Sequence, residues 1–128
     1  MRVLILTLIL LVPLSSNAFA MTNEVLYKWC KPYADRAFKI EENLDIKCLA
    51  YFTGALEYAN HICYIMTDAA KNDTGSAFAR SFFGASEDAN SEALIQAYVN
   101  KMKNEPERWK YTPNAALREV FTKVAPCE

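Results

Sequence analysis

The chain has 128 residues, 52% of them hydrophobic and 23% charged, with 14 basic side chains against 15 acidic ones. That length allows one domain. The near-neutral balance leaves no basic stripe, so nucleic acid is not expected as a partner.

Residues 1–20 read as a Sec signal peptide. Met1-Arg2 is a minimal positive start, Val3 to Leu14 is apolar, and Asn17-Ala-Phe-Ala20 ends in an Ala-x-Ala site. The apolar run, at roughly 12 residues, is shorter than the about 20 needed to span a bilayer. Cleavage after Ala20 is expected, leaving 21–128 as the folded domain with a net charge of about −2. An uncleaved anchor is the competing reading. No cysteine stands at the cleavage point, so this is not a lipoprotein signal.

Thr22 to Cys30 predicts a first helix, with Asn23 as a candidate cap. Leu26, Trp29, Cys30 and Tyr33 share one face at i, i+3, i+4, i+7 spacing. Pro32 lacks an N–H and clashes with the preceding turn, so a kink or a new turn is expected there. Lys39 to Leu44 is polar and reads as a loop. Asp45 to Met66 predicts one long central helix, with Asp45 or Asn43 as its N-cap. Its apolar stripe is Leu49, Phe52, Leu56, Ala59, Cys63 and Met66, and Cys48, Ala55 and Ile62 lie on a neighbouring face. Apolar residues cover much of its circumference, so neighbours are expected on more than one side. Gly54 costs about 1 kcal/mol against alanine in mid-helix, which suggests close approach of another backbone.

Thr67 to Asn90 is irregular. Asp73-Thr-Gly75 and Gly84 mark breaks, and Ser76 to Phe83 between them is rich in aromatics. Ser91 to Asn104 predicts a third helix, capped by Asn90 or Ser91, with Leu94, Ala97, Tyr98 and Met102 inward. Thr112-Pro113 is a start signal for a last helix running to about Val124. Its expected buried side is Ala116, Leu117, Val120, Phe121 and Val124. No segment alternates with period two. The sequence therefore predicts an all-α bundle of about four helices stapled by two disulfides.

An even cysteine count in an exported chain points to disulfides in an oxidising space. Four cysteines allow three pairings. Cys48 and Cys63 are 15 residues apart, about 22 Å along a helix, whereas a disulfide needs Cα atoms within roughly 7 Å. In an antiparallel hairpin Cys30 faces Cys48, which favours Cys30–Cys48 with Cys63–Cys127. The alternative is Cys30–Cys63 with Cys48–Cys127.

Nothing in the sequence assembles a catalytic site, and no enzyme activity is expected. His61 is the single histidine, and a lone histidine makes a poor metal site; no cofactor is expected. Ser76 and Ser81 have no obvious base. Glu41-Glu42, and Glu105, Glu107 and Arg108 around Pro106, read as solvated turns.

Several features coincide along the chain. They are the signal peptide, Leu26-Tyr-Lys-Trp-Cys30, Cys48-Leu-Ala-Tyr-Phe-Thr-Gly54, Asn104-Glu-Pro-Glu-Arg108, the helix after Thr112-Pro113, and Ala125-Pro-Cys127. Together they resemble the Rap/Tai family of type VI secretion immunity proteins. The resemblance implies a small periplasmic helical protein, disulfide-bonded, that occludes a secreted peptidoglycan amidase and can form homodimers. Two departures stand out: Ala50, where the family usually has glycine, and a long Met66 to Asn90 stretch. Arg80, Phe82 and Phe83 are the expected anchors, since interface hot spots favour arginine and aromatics. A different class is also open: a small envelope carrier or chaperone with a ligand cavity lined by residues such as Phe52, Leu56 and Tyr98.

Overall fold

The computed structural model describes residues 21–70 and 89–127. The expected cleavage site after Ala20 and the Ser76 to Phe83 stretch lie outside them. Helix α1 spans Asn23–Asp35, α2 Asn43–Ala70, α3 Ser91–Asn104 and α4 Asn114–Val124, with a 3-10 turn at Pro106–Arg108. The architecture is all-α, with no strand among the described residues and two disulfides, Cys30–Cys48 and Cys63–Cys127.

The helix ends differ in detail from the expected caps. Thr22, not Asn23, caps α1, its hydroxyl accepting from the Val25 N–H at 3.4 Å. Pro32 lies inside α1, which runs on to Asp35. The missing N–H would have served the carbonyl of Lys28, an exposed position where water can take its place. Asn90 caps α3 as expected, accepting from Glu92 at 2.7 Å and Ala93 at 3.4 Å. At α4 the cap falls on Pro113 rather than Thr112, with no side-chain bond.

The α1–α2 corner is built tightly. Beyond α1, the Ala37 N–H donates to the Ala34 carbonyl at 3.1 Å and the Phe38 N–H to the Tyr33 carbonyl at 3.0 Å. This is the double bond pattern of a Schellman ending. Ala37 and Phe38 sit at φ of 52° and 61°, a left-handed region that glycine usually occupies. The Tyr33 and Phe38 rings meet edge to face at 5.4 Å, closing the motif with its usual apolar contact.

Asp45 does not cap α2 from outside. It is the third residue of the helix and fully buried, and its carboxylate reaches back. Oδ2 accepts from the Glu41 and Glu42 N–H groups, each at 2.8 Å. Arg36 Nη2 donates to both oxygens, at 2.5 and 2.6 Å. Burial opposes the charged form, but the N–H groups of Glu41 and Glu42 and the Arg36 guanidinium outweigh it and hold the carboxyl below its ordinary range. Glu41 and Glu42 thus supply backbone to a buried cluster, while their side chains stay exposed.

The helix that the others surround is α3, not α2. It packs against α1, α2, the 3-10 turn and α4. Leu94, Ile95, Tyr98, Val99 and Met102 are all buried. That stripe is wider than the expected one, which lacked Ile95 and Val99; Ala97 is only half-buried. On α2, Cys48, Phe52 and Ala59 are buried, whereas Leu49, Leu56, Cys63 and Met66 are half-buried. On α4, Ala116, Leu117, Val120 and Phe121 are buried as expected, but Val124 is 40% exposed.

Candidate partner-binding surface

The two disulfides tie α2 near both ends. Their Cα atoms lie 5.1 Å apart in Cys30–Cys48 and 5.6 Å in Cys63–Cys127. The continuous α2 keeps its own two cysteines apart, and the bonds formed, Cys30–Cys48 and Cys63–Cys127, exclude the alternative of Cys30–Cys63 with Cys48–Cys127. Such bonds form and persist in oxidising, extracytoplasmic surroundings. Among the described residues no helix is long and apolar enough to cross a membrane.

From Tyr58 to Ile65, on either side of the Cys63 tie, α2 presents an outward face rich in large apolar groups. Tyr58 is 48% exposed, Tyr64 72% and Ile65 47%. Tyr58, His61 and Ile65 follow i, i+3, i+7 spacing, with Tyr64 beside them, so they line one side of the helix. Gly54 lies on the same side, one turn before Tyr58. A Cβ built on it meets nothing within 4 Å. The close backbone approach expected at Gly54 therefore does not occur within the described fold. α2 does have more than one neighbour, packing against both α1 and α3, but among the described residues its outer face stays uncovered, and Ile46, at 53%, is exposed as well. Contiguous exposed apolar groups of this kind mark interaction surfaces.

Behind that face the fold is held by polar contacts that sequence reasoning missed. Asn23 is only 2% exposed. Its amide donates to the carbonyls of Arg108 at 2.9 Å and Thr112 at 3.4 Å. Its Oδ1 accepts from the Tyr98 hydroxyl at 2.9 Å. Burial pushes the Tyr98 hydroxyl well above its ordinary pKa, so it stays a neutral donor. The Glu24 N–H donates to the Trp109 carbonyl at 2.9 Å, and the Trp109 indole N–H to the Met102 carbonyl at 2.8 Å. The start of α1 thus locks the 106–112 connection in place. No sequence pattern announces this, because the partners lie 75 to 89 residues away.

An ion-pair network closes the other side of that connection. Arg108 pairs with Glu119 at 2.8 Å and Glu105 at 3.0 Å, and Lys101 with Glu119 at 2.5 Å and Glu105 at 2.8 Å. Arg108 and then Lys101 hold the Glu119 carboxyl down, to about 2, against some opposition from burial. Glu105 is lowered for the same reason, first through Lys101. Glu105 and Arg108 were expected in a solvated turn; they are half-buried in this network instead.

Of the residues singled out for chemistry, His61 is exposed on the outer face of α2. Among the described residues no three His, Cys, Asp or Glu side chains gather as a metal site. Arg80, Phe82 and Phe83, and likewise Ser76 and Ser81, lie outside the described residues. Phe52 and Tyr98, expected to line a carrier's cavity, are fully buried with their rings in contact at 5.5 Å. Comparison with family models, curated proteins and solved structures returned no match for this chain.

Proposed function

We propose that this chain is a periplasmic immunity protein that binds and occludes a secreted peptidoglycan amidase of type VI secretion. The reading rests on its resemblance to the Rap/Tai proteins, carried by the Cys48 to Gly54 segment and the Ala125-Pro-Cys127 ending. The observation that carries it furthest is the outer face of α2. Tyr58, Tyr64 and Ile65 expose aromatic and aliphatic surface on a helix fixed near both ends by disulfides. A rigid helix presenting such groups loses little conformational freedom on binding, and tyrosine is a preferred interface anchor. Occlusion needs only this complementarity, and no catalytic group of its own. Arg80, Phe82 and Phe83, which follow α2 in the chain, are proposed as further anchors.

The test is to look for an exported amidase encoded next to this chain and to follow its peptidoglycan hydrolysis with and without the oxidised protein. Stoichiometric loss of hydrolysis is expected. Tyr58→Ala with Tyr64→Ala should weaken inhibition by at least about tenfold, the loss of about 1.4 kcal/mol or more typical of interface anchors. Helical circular dichroism should be unchanged. Full hydrolysis at molar excess of the native protein would overturn the function. Full inhibition by the double variant would overturn the site alone.

A further inference from the structure

Between α3 and α4 runs an open groove of about 580 Å³, on different elements from the outer face of α2. Its floor is apolar, formed by Ala97, Val120 and Val124. Its α3 wall carries Asn100 and Asn104, both exposed and one turn apart, and exposed Gln96 extends the row by another turn. The Gln96 amide donates to Asn100 Oδ1 at 3.1 Å. The Asn100 carbonyl is thereby engaged, while among the described residues its NH2 group has no partner and the Asn104 side chain makes no hydrogen bond. Charge on the opposite wall is unevenly settled. Glu119 is closed on Lys101 and Arg108, whereas Lys123, also lining the groove, has no ion pair among the described residues.

We infer that this groove binds an extended peptide segment that carries a carboxylate. A side-chain amide offers both a donor and an acceptor, the same pair that a backbone peptide group presents. Residues four apart on a helix are about 6 Å apart along its axis. An extended chain repeats its edge every two residues, about 6.6–6.8 Å. Successive amides at 96, 100 and 104 therefore meet equivalent positions along one edge of an extended segment of about five residues, or four with a capped peptide group at each end. The apolar floor takes a side chain from that segment, and Lys123 takes its carboxylate. The groove's size is within the range of about 300–1,000 Å³ found for ligand sites. The inference does not depend on the amidase reading, because the groove shares no residue with the face proposed for it.

The test is an NMR titration of the oxidised protein with three probes: acetyl-Ala-Ala-Glu-Ala-amide, its glutamine counterpart, and sodium acetate. The glutamate peptide should shift the side-chain amides of Asn100 and Asn104 and the methyls of Val120 and Val124, saturating in the millimolar range. The glutamine peptide should bind about 2–5-fold more weakly, as expected for one exposed ion pair. Lys123→Ala should remove that difference, and Asn104→Ala should weaken both peptides alike. Three results would overturn the inference. One is equal shifts with acetate, an adventitious anion site only. Another is no shift with either peptide. The last is the same shifts on concentrating the protein alone, which would assign the groove to a second copy.

Discussion

The two halves of α2 sit in opposite surroundings. Its first half, with Asp45, Cys48 and Phe52 fully buried, is wedged into the corner with α1. A buried disulfide, a two-pronged Arg36–Asp45 pair and a left-handed turn at Ala37 and Phe38 all hold that corner. Its second half keeps Ala59 buried but turns Tyr58, Tyr64 and Ile65 outward. Cys63–Cys127 ties that half to the chain end. One helix is thus core over its first turns and carries an exposed apolar face from Tyr58 to Ile65. The two parts should separate cleanly under mutation.

The largest separation is expected between Phe52→Ala and Tyr64→Ala. Phe52 is fully buried against Tyr98, and truncating such a ring costs about 3–5 kcal/mol. Tyr64 is 72% exposed, and a change there should stay within about 0.5 kcal/mol. Denaturant unfolding of both variants measures this directly. Equal losses would mean that the outer face is part of the core and not a surface.

The disulfides sharpen the comparison next. Their sequence separations of 18 and 64 correspond to about 3 and 4 kcal/mol in the chain-entropy model. Replacing both members of a pair with alanine adds cavity loss at Cys30 and Cys48, which are fully buried. Hydrogen exchange should therefore distinguish them. Without Cys63–Cys127, protection should fall in the second half of α2 and persist at the corner. Loss of corner protection in that variant would show that the halves are one cooperative unit.

Much of this was legible in sequence, and the part that was not has a common cause. The pairing of cysteines took two steps: 15 residues of α2 cannot bring Cys48 to Cys63, and an antiparallel α1–α2 hairpin sets Cys30 opposite Cys48 rather than Cys63. Helix existence followed from periodicity and turn signals, with caps misplaced by about one residue, a normal margin. The buried roles of Asn23 and Asp45 were invisible, because a polar residue's burial depends on what surrounds it in space. Asn23 meets Tyr98, Arg108 and Thr112 only after folding. The hub role of α3 was hidden too, because Ile95 and Val99 fall beside the stripe that was counted. The outer face of α2 is not legible either, since an apolar circumference does not say which side α1 and α3 cover.

The ion network at the far end of the fold gives a smaller effect, with a defined pH window. Glu119 is held at about 2 by Arg108 and Lys101, against an ordinary value of 4.5. A lowered folded-state pKa contributes stability above the unfolded value, and that stability is lost as pH falls through the folded value. The loss therefore runs from about pH 4.5 down to about pH 2. Partly exposed pairs of this kind are worth about 1 kcal/mol or less each, and less in salt. Glu119→Gln should lower stability at neutral pH by about that amount and flatten the acid slope over this window. An unchanged slope would remove Glu119 from the acid response. It would leave the lowered Glu105 and Asp45 carboxyls to account for it.

Gly54→Ala gives the smallest change in stability and the most direct test of what the outer face is for. An added Cβ meets nothing within 4 Å, so alanine fits the helix without strain. Glycine in a helix interior costs about 0.8–1 kcal/mol relative to alanine. The variant should therefore be more stable by about that amount, read as a higher denaturation midpoint with an unchanged slope. Among the described residues nothing gives a reason to keep glycine there. The proposed partner would give one, because a missing side chain lets a second surface come closer to α2 than any Cβ allows. The stabilised variant should then bind more weakly, with affinity and stability moving in opposite directions. Gly54→Leu should deepen the binding loss while leaving the fold intact, since the position is open. If both variants bind as tightly as the native chain, the partner does not reach this turn of α2. Its contact would then begin at Tyr58 and extend toward the end of the helix.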